Sequence, residues 1–231
     1  TILVYDQQQA KVVVFDRNGV FARSTSLADV GGRVVLLRAF QSPSQYIVST
    51  QVVYGAASPT GMYGDTTDVG LFDASRRTIR TITRVEWRRV FHHRAARGTT
   101  TYGAPFIGET TLAATRAGVT VIPLGRQRAE VFDTSGARVG ASEVLPVRAR
   151  SVNRAMVNAF RDSLLLSMRS SSARFPGAAE RVEESFGAAF PVPQSAAAIR
   201  RAQGVGERVW LEEFPTAESV ASRWLLFDPQ R

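Results

Sequence analysis

The chain contains no cysteine, which removes disulfide frameworks, thiolate zinc sites and thiol nucleophiles together. Histidine is nearly absent too. His92 and His93 are the only two, too few for most imidazole-based catalysis and for the common zinc sets. No apolar run approaches the roughly 18–20 residues that a membrane-spanning helix needs. Lysine is represented by Lys11 alone, so 28 of the 29 basic residues are arginine, and with 20 acids the net charge is +9. The arginines are spread along the chain, so this excess reads in part as a compositional bias rather than as one basic surface. What remains is a globular balance: 231 residues, 44% hydrophobic and 21% charged, enough to bury a sizeable core.

A β-run ending in Phe-Asp and followed by a turn recurs along the chain. It stands at Val14-Phe15-Asp16, Leu71-Phe72-Asp73, Val131-Phe132-Asp133 and Leu226-Phe227-Asp228, with aspartates 57, 60 and 95 residues apart. The physical content is a hairpin. A β-branched or aromatic strand ends at an Asp whose carboxylate accepts backbone N–H groups two residues on, and a glycine or flexible residue takes the positive-φ position. Asp16, Asp73, Asp133 and Asp228 are therefore expected to be structural turn residues. Short strands fill the gaps: 33–40, 45–53, 85–91, 110–114, 119–122, 208–213 and 223–227. Many short strands without βα alternation, under a long-period repeat, point to an all-β array of the propeller kind rather than a sandwich.

Two stretches break that pattern. Residues 151–168 place Val152, Met156, Ala159, Phe160 and Leu164 at helical spacing, with Ser151 as N-cap. Residues 176–186, opening on Pro176-Gly177, place Val182 and Phe186 four apart. Together they read as a short helical insertion around 151–186, with the apolar stripe serving packing.

The Phe-Asp-x-x-Gly hairpins resemble the repeats of bacterial six-bladed β-propellers with NHL- or TolB-like repeats. The order of features resembles a Gemmatimonadota-type family of such proteins. The likeness is carried by Ala104-Pro105-Phe106, the hairpin at Val131–Gly136, the helical insertion, Phe190-Pro191-Val192-Pro193, the strand Glu207–Leu211 and the closing Trp224–Asp228. One departure is Gly204-Val205-Gly206-Glu207, which stands where an Asp-x-x-Gly turn belongs. The resemblance implies one propeller domain over 1–231, represented by about four blades of the six-bladed type in an open partial ring. Phe15, Phe72, Phe132 and Phe227 are expected at equivalent places between neighbouring sheets. Both ends read as cuts through a longer coding sequence, the N-terminal one above all. The resemblance also implies an exported protein, periplasmic or extracellular.

Chemistry is sparse. From Arg76 to Arg97 there are eight arginines, Glu86 being the lone acid, with Trp87 and Phe91 among them. Such a stretch suits anionic partners, and Arg84, Arg88, Arg89 and Arg94 are the candidate anion-binding set. Strand alternation predicts that Arg84, Glu86 and Arg88 share one face, with Trp87 and Arg89 on the other. Asp65 and Asp68, in an expected loop at Gly61–Asp68, could hold calcium, but a plain loop is the simpler reading. No nucleophile elbow, phosphate loop or dinucleotide fingerprint is present, so no catalytic residue, metal or cofactor is assigned. The function that follows is a non-catalytic binding or scaffold module presenting a surface to a protein or carbohydrate partner. One alternative is a propeller lyase or hydrolase whose active residues lie partly in missing blades. The other is a polyanion binder using the Arg76–Arg97 stretch, with nucleic acid not the expected partner.

Overall fold

The computed structural model describes residues 1–231 except 29, 32, 34, 51–58, 96–97, 141–142, 146, 148–149, 171–176, 188–189, 191, 215–222 and 230–231. The protein is mostly β, and its largest sheet is curled like half a barrel. The chain runs through antiparallel meanders in sequence order. The first sheet holds β1 (Ile2–Asp6), β2 (Lys11–Phe15) and β3 (Phe21–Ser26). The second holds β4 (Val35–Phe40), β5 (Gln45–Thr50), β6 (Gly61–Asp73), β7 (Thr78–Ala95) and β8 (Gly98–Gly103). The third is built from β9 (Thr111–Ala114), β10 (Gly118–Ile122), β11 (Arg128–Asp133) and β12 (Glu143–Val144). Next come β13 (Arg150–Ser151), α1 (Arg154–Ser170), α2 (Ala178–Ser185) and β14 (Ser195–Ala196), with β13 paired to β14. The fourth sheet closes the order with β15 (Ile199–Val205), β16 (Arg208–Glu213) and β17 (Trp224–Phe227).

Alternation along each strand gives every sheet two faces; the second and third sheets use both to stack on their neighbours, the first and fourth one each. Val12, Val14 and Leu27 pack on Tyr46, Val48 and Phe72 between the first and second sheets. Ile47, Val69, Leu71 and Trp87 pack on Leu112, Val119, Val121 and Phe132 between the second and third. Ala113, Ile122 and Ala129 pack on Ile199, Val209 and Leu211 between the third and fourth. Each fully buried Val, Leu or Phe contributes about 1.5–3 kcal/mol, so these three joints dominate the stability of the stack. Polar links follow the same neighbour order: Arg23 to the Pro43 carbonyl, Gln41 to that of Thr115, Arg80 to that of Thr134 and the Arg116 N–H to that of Gly206.

The Phe-Asp repeat has a fixed place in this stack. Phe72, Phe132 and Phe227 each face the preceding sheet. Phe15 does not lie between sheets as expected. It points away from the first joint and meets the exposed Phe21 edge-on at 6.4 Å.

Several expectations differ. Gly61–Asp68, expected as a loop, is the first half of the 13-residue strand β6. The second strand that a hairpin places after its turn is, at Ala137–Gly140, only a single bridge between Arg138 and Phe132. Helix α1 starts two residues later than the Ser151 cap requires. Ser151 is in β13, and Asn153 Oδ1 accepts the Met156 N–H at 2.9 Å. The buried residues of α1 are Val157 and Leu165, while Ala159 is exposed, because the stripe runs along the 157–160–164 side. Pro176, Arg97, Val53 and Pro191 lie outside the described residues. Both helices dock on β7 and β8 through a cluster of rings: Phe186 stacks on Phe190 at 4.3 Å and on Tyr102 at 5.8 Å, and Phe190 meets Phe91 edge-on. Among the described residues no helix is long and apolar enough to cross a membrane.

Candidate functional site

The repeat aspartates act on their own turns. Asp16 Oδ1 accepts the N–H groups of Asn18 and Val20 at 2.8 and 2.9 Å. Asp73 Oδ1 accepts from the Ser75 hydroxyl at 2.6 Å and from the Ser75 and Arg76 N–H groups. Asp133 Oδ1 accepts from the Ser135 hydroxyl and the Ala137 N–H. The positive-φ position is filled by Gly19, Arg77 and Gly136 in turn. Asp228 follows β17 and is part-exposed. The Ser75 hydroxyl, with the backbone N–H groups behind it, holds Asp73 below the ordinary aspartate range, and Ser135 does the same for Asp133. A depressed carboxylate stabilises the fold above its unfolded pKa of about 3.9 and loses that contribution as pH falls through the lower folded value. Ser75→Ala is therefore expected to move the Asp73 midpoint up toward the ordinary value and leave Asp133 unmoved. Carboxyl NMR titration checks this, and a stationary Asp73 midpoint would refute the assignment.

The candidate anion-binding arginines are strung along β7 instead of gathered. From Arg84 to Arg94 the strand advances roughly 33 Å. Arg84 binds Asp68 at 2.7 Å, Arg88 binds Asp65 at 2.8 Å and Arg89 binds Glu86 at 2.7 Å. Asp68 is held below its ordinary range by the Arg84 hydrogen bond. Arg94 is exposed, with its backbone N–H on Thr60. Two bulges in β7 reset its faces. The register passes from Val69↔Thr83 to Gly70↔Thr81 and from Asp65↔Arg88 to Thr66↔Glu86, leaving Ile82 and Trp87 as the extra residues. Arg89 therefore returns to the side of Arg84 and Glu86, while Arg88 joins Trp87 on the other. This reverses the expected alternation at Arg88 and Arg89. Asp65 and Asp68 sit three apart on one strand and face opposite sides, each on its own arginine, so they do not converge on one ion. Among the described residues no group of three potential metal ligands is present.

The same bulge builds the site that the sequence hides. It turns Trp87 and Arg88 together toward the third sheet, above Asp65 of β6. From β4 comes Arg38, itself the extra residue between Leu37↔Val48 and Ala39↔Ile47. Its guanidinium lies 3.9 Å over the Trp87 ring, and its Nε donates to the buried Ser49 hydroxyl at 2.7 Å. Burial pushes Arg38 below its ordinary value, Glu109 opposing the shift and Arg88 adding to it. Leu36, Thr50, Thr67 and Glu109 complete a cleft of about 160 Å³. Thr67 donates to the Thr50 carbonyl at 2.6 Å.

Asp65 is the singular group here. It is 4% exposed, Arg88 Nε occupies Oδ2, and Oδ1 is buried with no hydrogen-bond partner. A buried charged acceptor left open costs roughly 1–3 kcal/mol or more, and the group that meets it has to be a donor. The cleft is thus lined by the Asp65 carboxylate, whose Oδ1 is buried and unpartnered, by a second carboxylate at Glu109 and by two guanidinium groups. His92 and His93 are elsewhere: His92 Nδ1 bonds Thr101 at 2.8 Å and its ring meets Tyr63 edge-on, while His93 stacks on Phe91 and approaches Glu184 at 3.8 Å.

The chain matches no family model, no curated protein and no solved structure. The class that fold and site define is accordingly a β-rich protein of stacked antiparallel meanders with a polar cleft between two of them.

Proposed function

We propose that the chain is a non-catalytic binding module of β-propeller type, a single domain over 1–231 whose four meanders are successive blades. We further propose that the Arg38–Asp65–Trp87 cleft receives a carbohydrate. The neighbour-on-neighbour stacking of the sheets and the constant place of Phe72, Phe132 and Phe227 support the propeller part. The observation that carries the binding part is the unpartnered oxygen of the buried Asp65 carboxylate, which lines a cleft that also holds Arg38 and Arg88. Sugar hydroxyls are donors and acceptors at once, so one ring can donate to Asp65 and accept from a guanidinium without adding net charge. Trp87, already under Arg38, reports occupancy through its fluorescence.

The test is a titration of the protein with neutral and uronate-containing oligosaccharides, followed by tryptophan fluorescence and calorimetry. Saturable binding is expected, weakened about tenfold or more by Asp65→Asn, because a hydrogen bond to a charged group contributes about 1.5–3 kcal/mol. Asn keeps an acceptor for Arg88, so the melting temperature should move little. Binding that is indifferent to Asp65→Asn would remove the cleft from the reading, and absence of saturation by every sugar would remove the carbohydrate. The polyanion alternative gains no support from β7, where three of its four arginines are already paired with carboxylates.

A further inference from the structure

The three joints between sheets follow one rule of register. On the face toward the preceding sheet, the Phe of the repeat lies directly across from a residue on the neighbouring strand: Phe72 from Tyr46, Phe132 from Val119 and Phe227 from Val209. Two residues further along that neighbour come Val48, Val121 and Leu211. All six of these partners are at most 1% exposed. The first sheet repeats the pattern with Phe15 across from Ile2 and Val4 two further on. There Ile2 is 51% and Val4 46% exposed, and Phe21 beside them 60%.

The opposite faces are equally regular. The residue before each Phe points to the following sheet, across from a partner of its own: Val14 from Leu3, Leu71 from Ile47 and Val131 from Thr120. In the fourth sheet that pair is Leu226 and Trp210, and it is open, with Leu226 46% and Trp210 40% exposed. The stack therefore carries the two halves of one more joint at its two ends. The first sheet presents the Phe half and the fourth the half that receives it.

We propose that these halves belong together between molecules: the fourth sheet of one copy packs on the first sheet of a second copy, rebuilding the joint that recurs three times within the chain. The complementarity is not a matter of apolar surface alone, because the register that places Phe72 on the first sheet and Phe227 on the third places Phe15 on an incoming Leu226–Trp210 face. Such contact is heterologous. Assembly continues beyond two copies unless the rotation closes a ring.

The experiment uses the 231-residue chain with two exposed substitutions, Val4→Asp on the first sheet, which presents the Phe half, and Leu226→Asp on the fourth sheet, which receives it. Sedimentation velocity on the wild type should show species heavier than 25.2 kDa that grow with concentration, while each variant alone stays monomeric over at least a tenfold higher range. Mixed one to one, the two variants still hold one intact half each, so they should form a heterodimer and stop there. A wild type that is monomeric throughout overturns the proposal. So does a Leu226→Asp chain that associates like wild type, which would mean a contact between first sheets only. Phe21→Ser and Trp210→Ser serve as replacements if either aspartate variant loses its circular dichroism spectrum.

Discussion

Phe72→Ala is expected to destabilise the protein by about 3–5 kcal/mol, the range for removing a fully buried aromatic ring from a packed core. Phe72 is 0% exposed, tilted against Tyr46 at 5.9 Å and closed over by Val12 and Val14. Phe132, 5% exposed between Leu71 and Val119, belongs in the same range. In a chain of this size 1 kcal/mol moves the melting temperature by about 2–4 °C, so either change should lower it by roughly 6–20 °C. Phe15→Ala makes the same chemical deletion at the same position of the repeat, but on the uncovered face. It should cost under about 1 kcal/mol in the monomer. Denaturant titration of the three variants checks this at a concentration below self-association, and comparable losses at all three positions would contradict the stacking order.

The second large effect is expected at Gly204. Its missing side chain is what lets β15 lie flat on β9: a Cβ built there falls inside the carbonyl group of Ala114, in contact with O and C together. That obstacle is backbone, which cannot rotate away. Gly204→Ala should therefore part the third and fourth sheets at their closest approach. The expected cost is about 1–3 kcal/mol or more from overpacking, with Val209 and Leu211 losing contacts across the same joint. Gly206→Ala, two residues on, meets no atom but has φ +64° and is expected to cost about 1 kcal/mol through backbone strain alone. Thermal melts of the pair, read together with amide exchange, separate the two mechanisms, since only Gly204→Ala should also speed exchange in β9 and β15 on the two sides of the joint. Equal effects would mean that strain at the turn, and not the close approach, governs the region.

The sequence reveals those parts of the molecule that local chemistry dictates. Phe-Asp turns, β-branched runs and the helical spacing of Met156, Phe160 and Leu164 each carry their signal within a few residues, so the strands and both helices can be read within a residue or two at many ends. The departure at Gly204-Val205-Gly206 also has a local cause visible afterwards, since the first glycine serves a close approach and the last the turn. Asp65 illustrates what is not legible. Its neighbours Gly61, Gly64, Thr66 and Thr67 look like loop residues, and only pairing with β7 makes them a strand. Trp87 and Arg88 look like alternating residues, and only the bulge turns both toward the third sheet. Arg38 carries no signal at all, because its place over Trp87 depends on a bulge in β4 and on a partner 49 positions away in the chain. Bulges are set by how two strands meet, which no single segment encodes.

Because, among the described residues, each meander leans on the one before and the one after, the stack is close to a one-dimensional chain of units, whose stability is a sum of internal terms and neighbour terms. The second and third sheets have two neighbour terms each and the first and fourth only one. Opening need not be global: the end units can detach while the middle pair stays folded. Amide protons should then exchange in a gradient, fastest in β1–β3 and β15–β17 and slowest in β5, β6 and β10, where Ile47, Val69, Val119 and Val121 have no exposed surface. The cleft lies within the protected middle pair, so its geometry would outlast the departure of either end.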